Sequence, residues 1–234
     1  MKKLFTITVS LLCSAVIFSQ SLDDIVKNYA SAMKSSQLAN VKTIKITGKM
    51  SAMGMEMPMT MYMKNPNKIK VIYSFSGQEM VSVFDGVKGY TLNPMTGSAT
   101  PVELTGDQLK QVQENNVFQN QLMNFHKSGK LTLEGEEVVN GKPAFKLKAT
   151  VDGSNPVYMC LDKGTYYLVK SSTKVSQMGQ EMTVDSFMSD YTDIQGVVMP
   201  KKTTASSGGM EMAVITFDKI EVNIPIEDTV FKIK

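Results

Sequence analysis

The chain has 234 residues, with 25 basic residues against 22 acidic residues, two cysteines and one histidine. The formal net charge of +3 gives no reason to expect a nucleic-acid partner. Every basic residue is a lysine, and a single histidine with so few cysteines cannot form a zinc site from imidazoles or thiolates.

The N-terminus has the pattern of a secretory signal peptide. Two lysines precede an apolar run over residues 4–18, and cleavage is predicted after Ser19. Lipoprotein signals need a small residue before the cysteine, and Leu12 before Cys13 is not small. We therefore predict a secreted protein without a lipid anchor.

Removal of residues 1–19 leaves residues 20–234, which we interpret as a single domain. Cys160 is then the one remaining cysteine, so no intramolecular disulfide can form. The domain must be stabilised by a hydrophobic core.

The mature chain is predicted to open with an amphipathic helix and then to change to strands. Ser21 and Asp24 form a capping-box pattern, and apolar residues recur at helical spacing over residues 22–33. From Thr43 apolar and polar residues alternate, which predicts a strand with one solvated face.

Methionine then occupies every second position from Met53 to Met63. Because successive strand residues point to opposite faces, this spacing lines one face of a strand with flexible thioethers. Two interpretations stay open. The methionines fill an ordinary core, or they line a deformable pocket for an apolar ligand.

A four-residue repeat, Gly-(Met or Gln)-Glu-Met, predicts several β-hairpins. It begins at Gly54, Gly77, Gly179 and Gly209. Further turns are predicted at residues 85–86, 140–141 and 152–153. Many strands joined by tight turns favour an antiparallel meander that curls into a barrel or half-barrel.

The segment from about residue 105 to residue 127 interrupts the strands. Asp107 is a candidate helix start and Gly129 a candidate end, with an interrupted apolar stripe between them. We predict short helices that cover the mouth of a curved sheet. Downstream, Glu134, Glu136 and Glu137 are interpreted as a solvated turn.

No catalytic pattern is present, so we do not expect an enzyme. His126 is interpreted as a helix-end or surface residue. Copper is a weaker alternative, because thioethers bind Cu(I) and Met53, Met55 and Met57 lie near a hairpin tip. No cofactor is expected.

The strand after the methionine run extends its apolar face. Ile69, Val71, Tyr73 and Phe75 alternate with Lys68, Lys70 and Ser74, and Met80 and Phe84 continue the pattern after a turn. If the sheet closes only partly, this face becomes a concave apolar trough.

The chain resembles the LolA/LolB-like family of outer-membrane lipoprotein carriers. The residues that carry the resemblance are the opening helix at 22–33 and the segments 62–68, 84–86, 137–143, 190–191, 196–200 and 222–226 leading to Phe231. The resemblance covers nearly the whole mature chain.

This resemblance implies a mainly β fold with short α-helices, an unclosed antiparallel β-barrel (half-barrel) with a helical lid. It implies a monomeric carrier that takes the acyl chains of lipoproteins or lipids across the periplasm toward the outer membrane, working with membrane donor or acceptor proteins. The implied lining residues are Met55, Met57, Met59, Met61, Met63, Ile69, Val71, Tyr73 and Phe75 of the strands and Leu109, Val112, Phe118 and Leu122 of the lid.

Well-studied carriers have a cavity arginine that helps to hold the lid shut, whereas this chain has none. Lysine provides a point charge without the planar guanidinium fork, so the closing mechanism is expected to differ. The other alternative is a periplasmic sensor that recognises lipoproteins or peptides with the same half-barrel and transports nothing.

Overall fold

The computed structural model describes residues 20–96, 100–114, 116–118, 120–151, 153, 155–177 and 180–233. The predicted signal peptide, Asp152 of one predicted turn and Gly179 of the repeat lie outside these residues. No helix in the described ranges is long and apolar enough to span a membrane.

Within the part of the chain that the structure describes, the fold has four α-helices and thirteen strands. The helices are α1 Leu22–Ala32, α2 Ser35–Leu38, α3 Gly106–Glu114 and α4 Gln121–Lys127. The strands are β1 Thr43–Ala52, β2 Met55–Lys64, β3 Lys68–Phe75, β4 Gln78–Phe84, β5 Gly89–Leu92, β6 Val102–Leu104, β7 Leu131–Val139, β8 Lys142–Ala149, β9 Val157–Asp162, β10 Leu168–Gln177, β11 Gln180–Ile194, β12 Val197–Ser207 and β13 Met210–Val222. Short 3-10 helices occur at Pro94–Thr96 and Asp228–Phe231.

All thirteen strands belong to one antiparallel sheet, in the order β6-β5-β4-β3-β2-β1-β13-β12-β11-β10-β9-β8-β7. Strands β6 and β7 are its two edges and do not pair, so the sheet is an unclosed half-barrel, as predicted. Helices α3 and α4 lie in the connection between these edges. Helix α3 packs on β4 and β5, while α4 packs on β7 and α1. The topology therefore brings the helical segment across the open side of the sheet.

Local sequence signals account for several element boundaries. The Ser21 hydroxyl oxygen accepts a hydrogen bond from the Asp24 amide at 3.1 Å, which confirms the predicted N-cap of α1. Gly54, Gly77 and Gly209 lie at hairpin tips with positive φ, as the repeat predicts. Helix α3 begins at Gly106, one residue before the predicted start.

Gly48 permits a close approach between β1 and β13. The strand register shifts between Thr47 and Gly48, and a Cβ atom at Gly48 would lie 2.1 Å from the Thr216 carbonyl oxygen. A residue with a side chain would push the two strands apart at this irregularity.

The predicted turn at Glu134, Glu136 and Glu137 is wrong, because all three lie in strand β7. A bulge at Gly135, with φ of 130°, shifts the register there. Lysines neutralise Glu136 and Glu137, with Lys163 Nζ 2.5 Å from the Glu136 carboxylate. Glu137 pairs with Lys146 at 2.9 Å and with Lys170 at 2.8 Å, so the strand tolerates adjacent carboxylates.

Two core clusters lie under the helices. The first core cluster joins buried residues of β1, β2, β3, β12 and β13 to α3, and includes Ile44, Met63 and Val112. The second core cluster packs α1 and α4 onto β7, β8 and β9, and includes Ile25 and Leu122.

The C-terminal segment is held on the sheet near β2 and β3. Phe231 is buried with Val83 and Ile226, and the Asp228 carboxylate lies 2.7 Å from Lys64 Nζ and 3.0 Å from Lys68 Nζ. Hydrogen bonds from Lys64 and then Lys68 lower the pKa of Asp228 to about 2.

We expect the Asp228 carboxyl to titrate near pH 2 in an NMR titration and to move toward its ordinary value in the Lys64→Gln variant. Since its pKa is lowered in the fold, its stabilising contribution is present above the ordinary pKa and is lost as the pH falls toward 2. The Lys201→Gln variant is the control. An unchanged titration in Lys64→Gln would contradict the ion pair.

Candidate functional site

A cavity of about 460 Å³ lies beneath the helices at the boundary between the two core clusters. We call it the inner cavity. Its apolar lining residues are Met33, Leu38, Met61, Val117, Leu122, Val157, Met159, Leu168, Met188, Val197, Val198, Met199, Pro200, Ile215 and Phe217. Its other lining residues are Tyr29, Ser35, Asn116, Asn120, Gln121, Ser171, Tyr191 and Thr203. Its volume lies within the range of ordinary small-ligand sites.

The lining residues of the inner cavity include none that is charged at neutral pH. Burial raises the pKa of both tyrosines, Tyr29 and Tyr191, so their hydroxyls stay protonated. The Tyr191 hydroxyl donates to the Leu168 carbonyl oxygen at 2.7 Å, and its ring stacks on Tyr167 with centroids 4.2 Å apart. The cavity therefore favours an uncharged apolar occupant.

A second depression, of about 660 Å³, adjoins the inner cavity. We call it the outer cleft. It lies between α1, α2 and α4 and shares Ser35, Leu38 and Asn120 with the inner cavity. Lys127 and Asn124 of α4 line its outer part. The inner cavity thus adjoins a second space with several polar lining residues.

Two of the thirteen predicted lining residues, Met61 and Leu122, line the inner cavity. Eight belong to the first core cluster without lining this cavity: Met59, Met63, Ile69, Val71, Tyr73, Leu109, Val112 and Phe118. Phe118 also lines the outer cleft. Met57 is buried, Phe75 is half-buried, and Met55 is 42% exposed. The ligand-binding role assigned to these side chains stays a prediction, and their positions favour Met61 and Leu122.

Methionine is nevertheless a main component of the cavity wall. Five methionines line it: Met33, Met61, Met159, Met188 and Met199. Four of these were not predicted as lining residues, because they are dispersed over the C-cap of α1 and strands β9, β11 and β12. Within β12, the apolar run 197–199 was a usable signal, since it marks a strand buried on both faces.

Helix α4 is connected to α1 by polar contacts. His126 Nε2 lies 2.7 Å from the Asp23 carboxylate, and the Tyr29 hydroxyl donates to Asn120 Oδ1 at 3.4 Å. His126 lies in the last turn of α4, as predicted for a helix-end residue. These contacts join the two helices that border the outer cleft.

The methionines of the copper alternative lie at and beside the tip of the β1–β2 hairpin. Met53 is 93% exposed, Met55 is partly exposed and Met57 is buried. Within the described ranges, no three or more His, Cys, Asp or Glu side chains group in a way that could hold a metal ion.

Cys160 is expected to resist alkylation at pH 8 in the folded protein. It is buried beside Val139 and Ala144, and burial raises its thiol pKa to about 11. Only about 0.1% of the thiol would be ionised at that pH, and the thiolate is the reactive form. Intact-mass measurement after iodoacetamide treatment checks this, with the denatured protein as the reactive control. Equal labelling of both would contradict the buried position.

The fold is that of LolA superfamily proteins. The structure is similar to a LolA superfamily protein from Nitrosomonas europaea, with a TM-score of 0.58 at 14% identity over 92% of this chain and 98% of the other. An outer membrane lipoprotein-sorting protein domain from Vibrio parahaemolyticus gives 0.59 at 10% identity over 89% and 94%. A DUF1329 family protein from Desulfovibrio piger gives 0.61 at 12% identity over 89% and 97%.

No protein-family model matches the sequence, and no curated protein matches it significantly. The likeness is therefore one of architecture. At these identities it establishes the LolA-like half-barrel and leaves the ligand to be argued from the cavity.

Proposed function

We propose that this protein binds the acyl chains of lipoproteins or lipids in the inner cavity. The observation that carries the proposal is an uncharged, methionine-rich cavity of about 460 Å³ beneath the helices of a LolA-like half-barrel. Thioether side chains adapt their rotamers to chains of different shape.

Burial of the chain supplies the binding free energy. Each methylene removed from water contributes about 0.8 kcal/mol, so burying a dozen carbons would gain on the order of 10 kcal/mol before the costs of ordering. Part of this gain is offset by the loss of chain entropy and by any movement of α4 away from α1.

The protein acts as a periplasmic carrier and not as an enzyme in this proposal. The signal-peptide pattern at residues 1–19 supports export. Release requires a membrane or a partner protein that binds the cargo better or favours an open arrangement of the helices.

Native mass spectrometry of protein purified without detergent from a membrane-containing lysate tests binding. We expect adducts with the masses of acylated lipids or lipopeptides, lost after organic extraction. Wild-type protein that carries no adduct and takes up no added fatty-acyl probe would contradict the proposal.

A deletion strain separates transport from recognition alone. Loss of a carrier should leave lipoproteins at the inner membrane, as measured by membrane fractionation. Normal sorting with an altered envelope stress response would instead identify a sensor.

A further inference from the structure

Two buried polar atoms at the inner cavity have no hydrogen-bond partner. Among the described residues, the buried side-chain nitrogen and oxygen atoms that lack a hydrogen-bond partner are Ser35 Oγ and Asn116 Nδ2. Both residues line the inner cavity. Asn116 is 2% exposed, so its amide group is almost fully removed from solvent.

The orientation of the Asn116 carboxamide is set by its neighbour in the chain. Its oxygen accepts a hydrogen bond from the Phe118 amide at 3.0 Å. The amide nitrogen, with two N–H donors, is therefore the group that lacks a partner. An unpaired buried donor is costly, and native proteins seldom keep one without a role.

Neighbouring polar groups of the cavity have partners within the protein. Asn120 Oδ1 accepts from the Met123 amide at 3.2 Å and from the Tyr29 hydroxyl. The Tyr191 hydroxyl is bonded to the Leu168 carbonyl oxygen. The unpaired donors thus come from the loop before α4 and from the first residue of α2.

We propose that Asn116 and Ser35 donate hydrogen bonds to a neutral carbonyl oxygen at the head of the bound acyl chain. This inference rests on the proposed function and names its ligand class as acyl esters or acyl amides. Ser35 lies where the inner cavity meets the outer cleft. The carbonyl would lie at this boundary, with the chain in the inner cavity and the remaining headgroup in the outer cleft.

The charge of the cavity favours a neutral carbonyl over a carboxylate. A fatty-acid carboxylate would lose its hydration in a cavity whose lining residues carry no positive charge. An ester or amide carbonyl oxygen loses less hydration free energy than a carboxylate. Hydrogen bonds from Asn116 and Ser35 compensate for that loss. Free fatty acids should therefore bind less tightly than their esters at neutral pH.

Competition binding with methyl palmitate, palmitate and hexadecane tests the inference. Each compound displaces a fluorescent polyene probe from the full mature protein. Wild-type protein should bind methyl palmitate more tightly than palmitate at pH 7. The Asn116→Leu variant should lose about tenfold in affinity for methyl palmitate, because one hydrogen bond is removed, and should keep its affinity for hexadecane within about twofold.

One further variant and one control keep the test independent of folding. Ser35→Ala removes a hydroxyl without adding volume. It should lower the affinity for methyl palmitate and leave the affinity for hexadecane unchanged. Asn40→Leu, at an exposed residue that lines neither the inner cavity nor the outer cleft, is the matched control. Unchanged hexadecane binding shows that each variant is folded.

The outcomes distinguish this inference from the proposed function. Suppose that the wild type binds all three compounds, and that the variants either weaken the binding of methyl palmitate and of hexadecane equally or leave both unchanged. The proposed carbonyl contact is then wrong, whereas acyl-chain binding stands. If the wild type binds none of the three, the proposed function itself is wrong.

Discussion

Replacing Met61 with glutamate is expected to abolish acyl-chain binding, with a loss of at least about a hundredfold in affinity. Met61 lines the inner cavity from β2, and no lining residue carries a positive charge that could pair with the new carboxylate. Placing an unpaired charge beside an apolar chain costs several kcal/mol, which corresponds to two or more powers of ten in affinity. Displacement of a fluorescent fatty-acyl probe measures the effect.

Thr60→Glu is the matched control for this variant. Thr60 is adjacent on the same strand and points to the opposite face of the sheet. The same charge there should leave the affinity within about threefold of wild type. Equal losses in the two variants would show that a charge on β2 acts through the fold and not through the cavity.

The second large effect concerns stability, and it separates two methionines of one strand. Met63→Ala should lower the free energy of unfolding by about 3 kcal/mol, because Met63 is 0% exposed within the first core cluster and its loss leaves a void. Met61→Ala should cost about 1 kcal/mol, because Met61 already borders open space.

Urea unfolding followed by circular dichroism measures both values. The two residues lie on the same face, with Met61 opposite Ile46 and Met63 opposite Ile44 in β1. The two positions therefore differ mainly in the residues that pack over that face of the sheet. Similar losses at the two positions would mean that the space beside Met61 is filled in solution.

Local sequence patterns were sufficient to predict several of the elements. The alternation from Thr43 onward and the methionine spacing over 53–63 correspond to β1 and β2, because period-two burial is a property of the strand itself. The N-cap at Ser21 and the glycines at hairpin tips were equally local. The strand that contains Glu134, Glu136 and Glu137 was missed because the lysine partners of Glu137 come from β8 and β10, far along the chain.

The cavity wall could not be predicted with the same success. Met59, Met61 and Met63 are the same residue type on the same face, yet one of them lines the inner cavity. The three positions differ because helices α1 and α4 cover one part of the sheet and helix α3 covers another part. The connection between the two edge strands determines where α3 and α4 lie. The unpaired amide of Asn116 has no sequence signal at all, since only the folded surroundings leave it without a partner.

Photo-crosslinking with a fatty-acyl ester that carries a diazirine at the end of its chain tests the central claim most directly. Peptide mapping after irradiation should place the adducts on residues of the cavity wall, such as Met61, Met159 and Met199. Adducts confined to exposed methionines such as Met53 and Met210, which are 93% and 74% exposed, would contradict acyl binding beneath the helices.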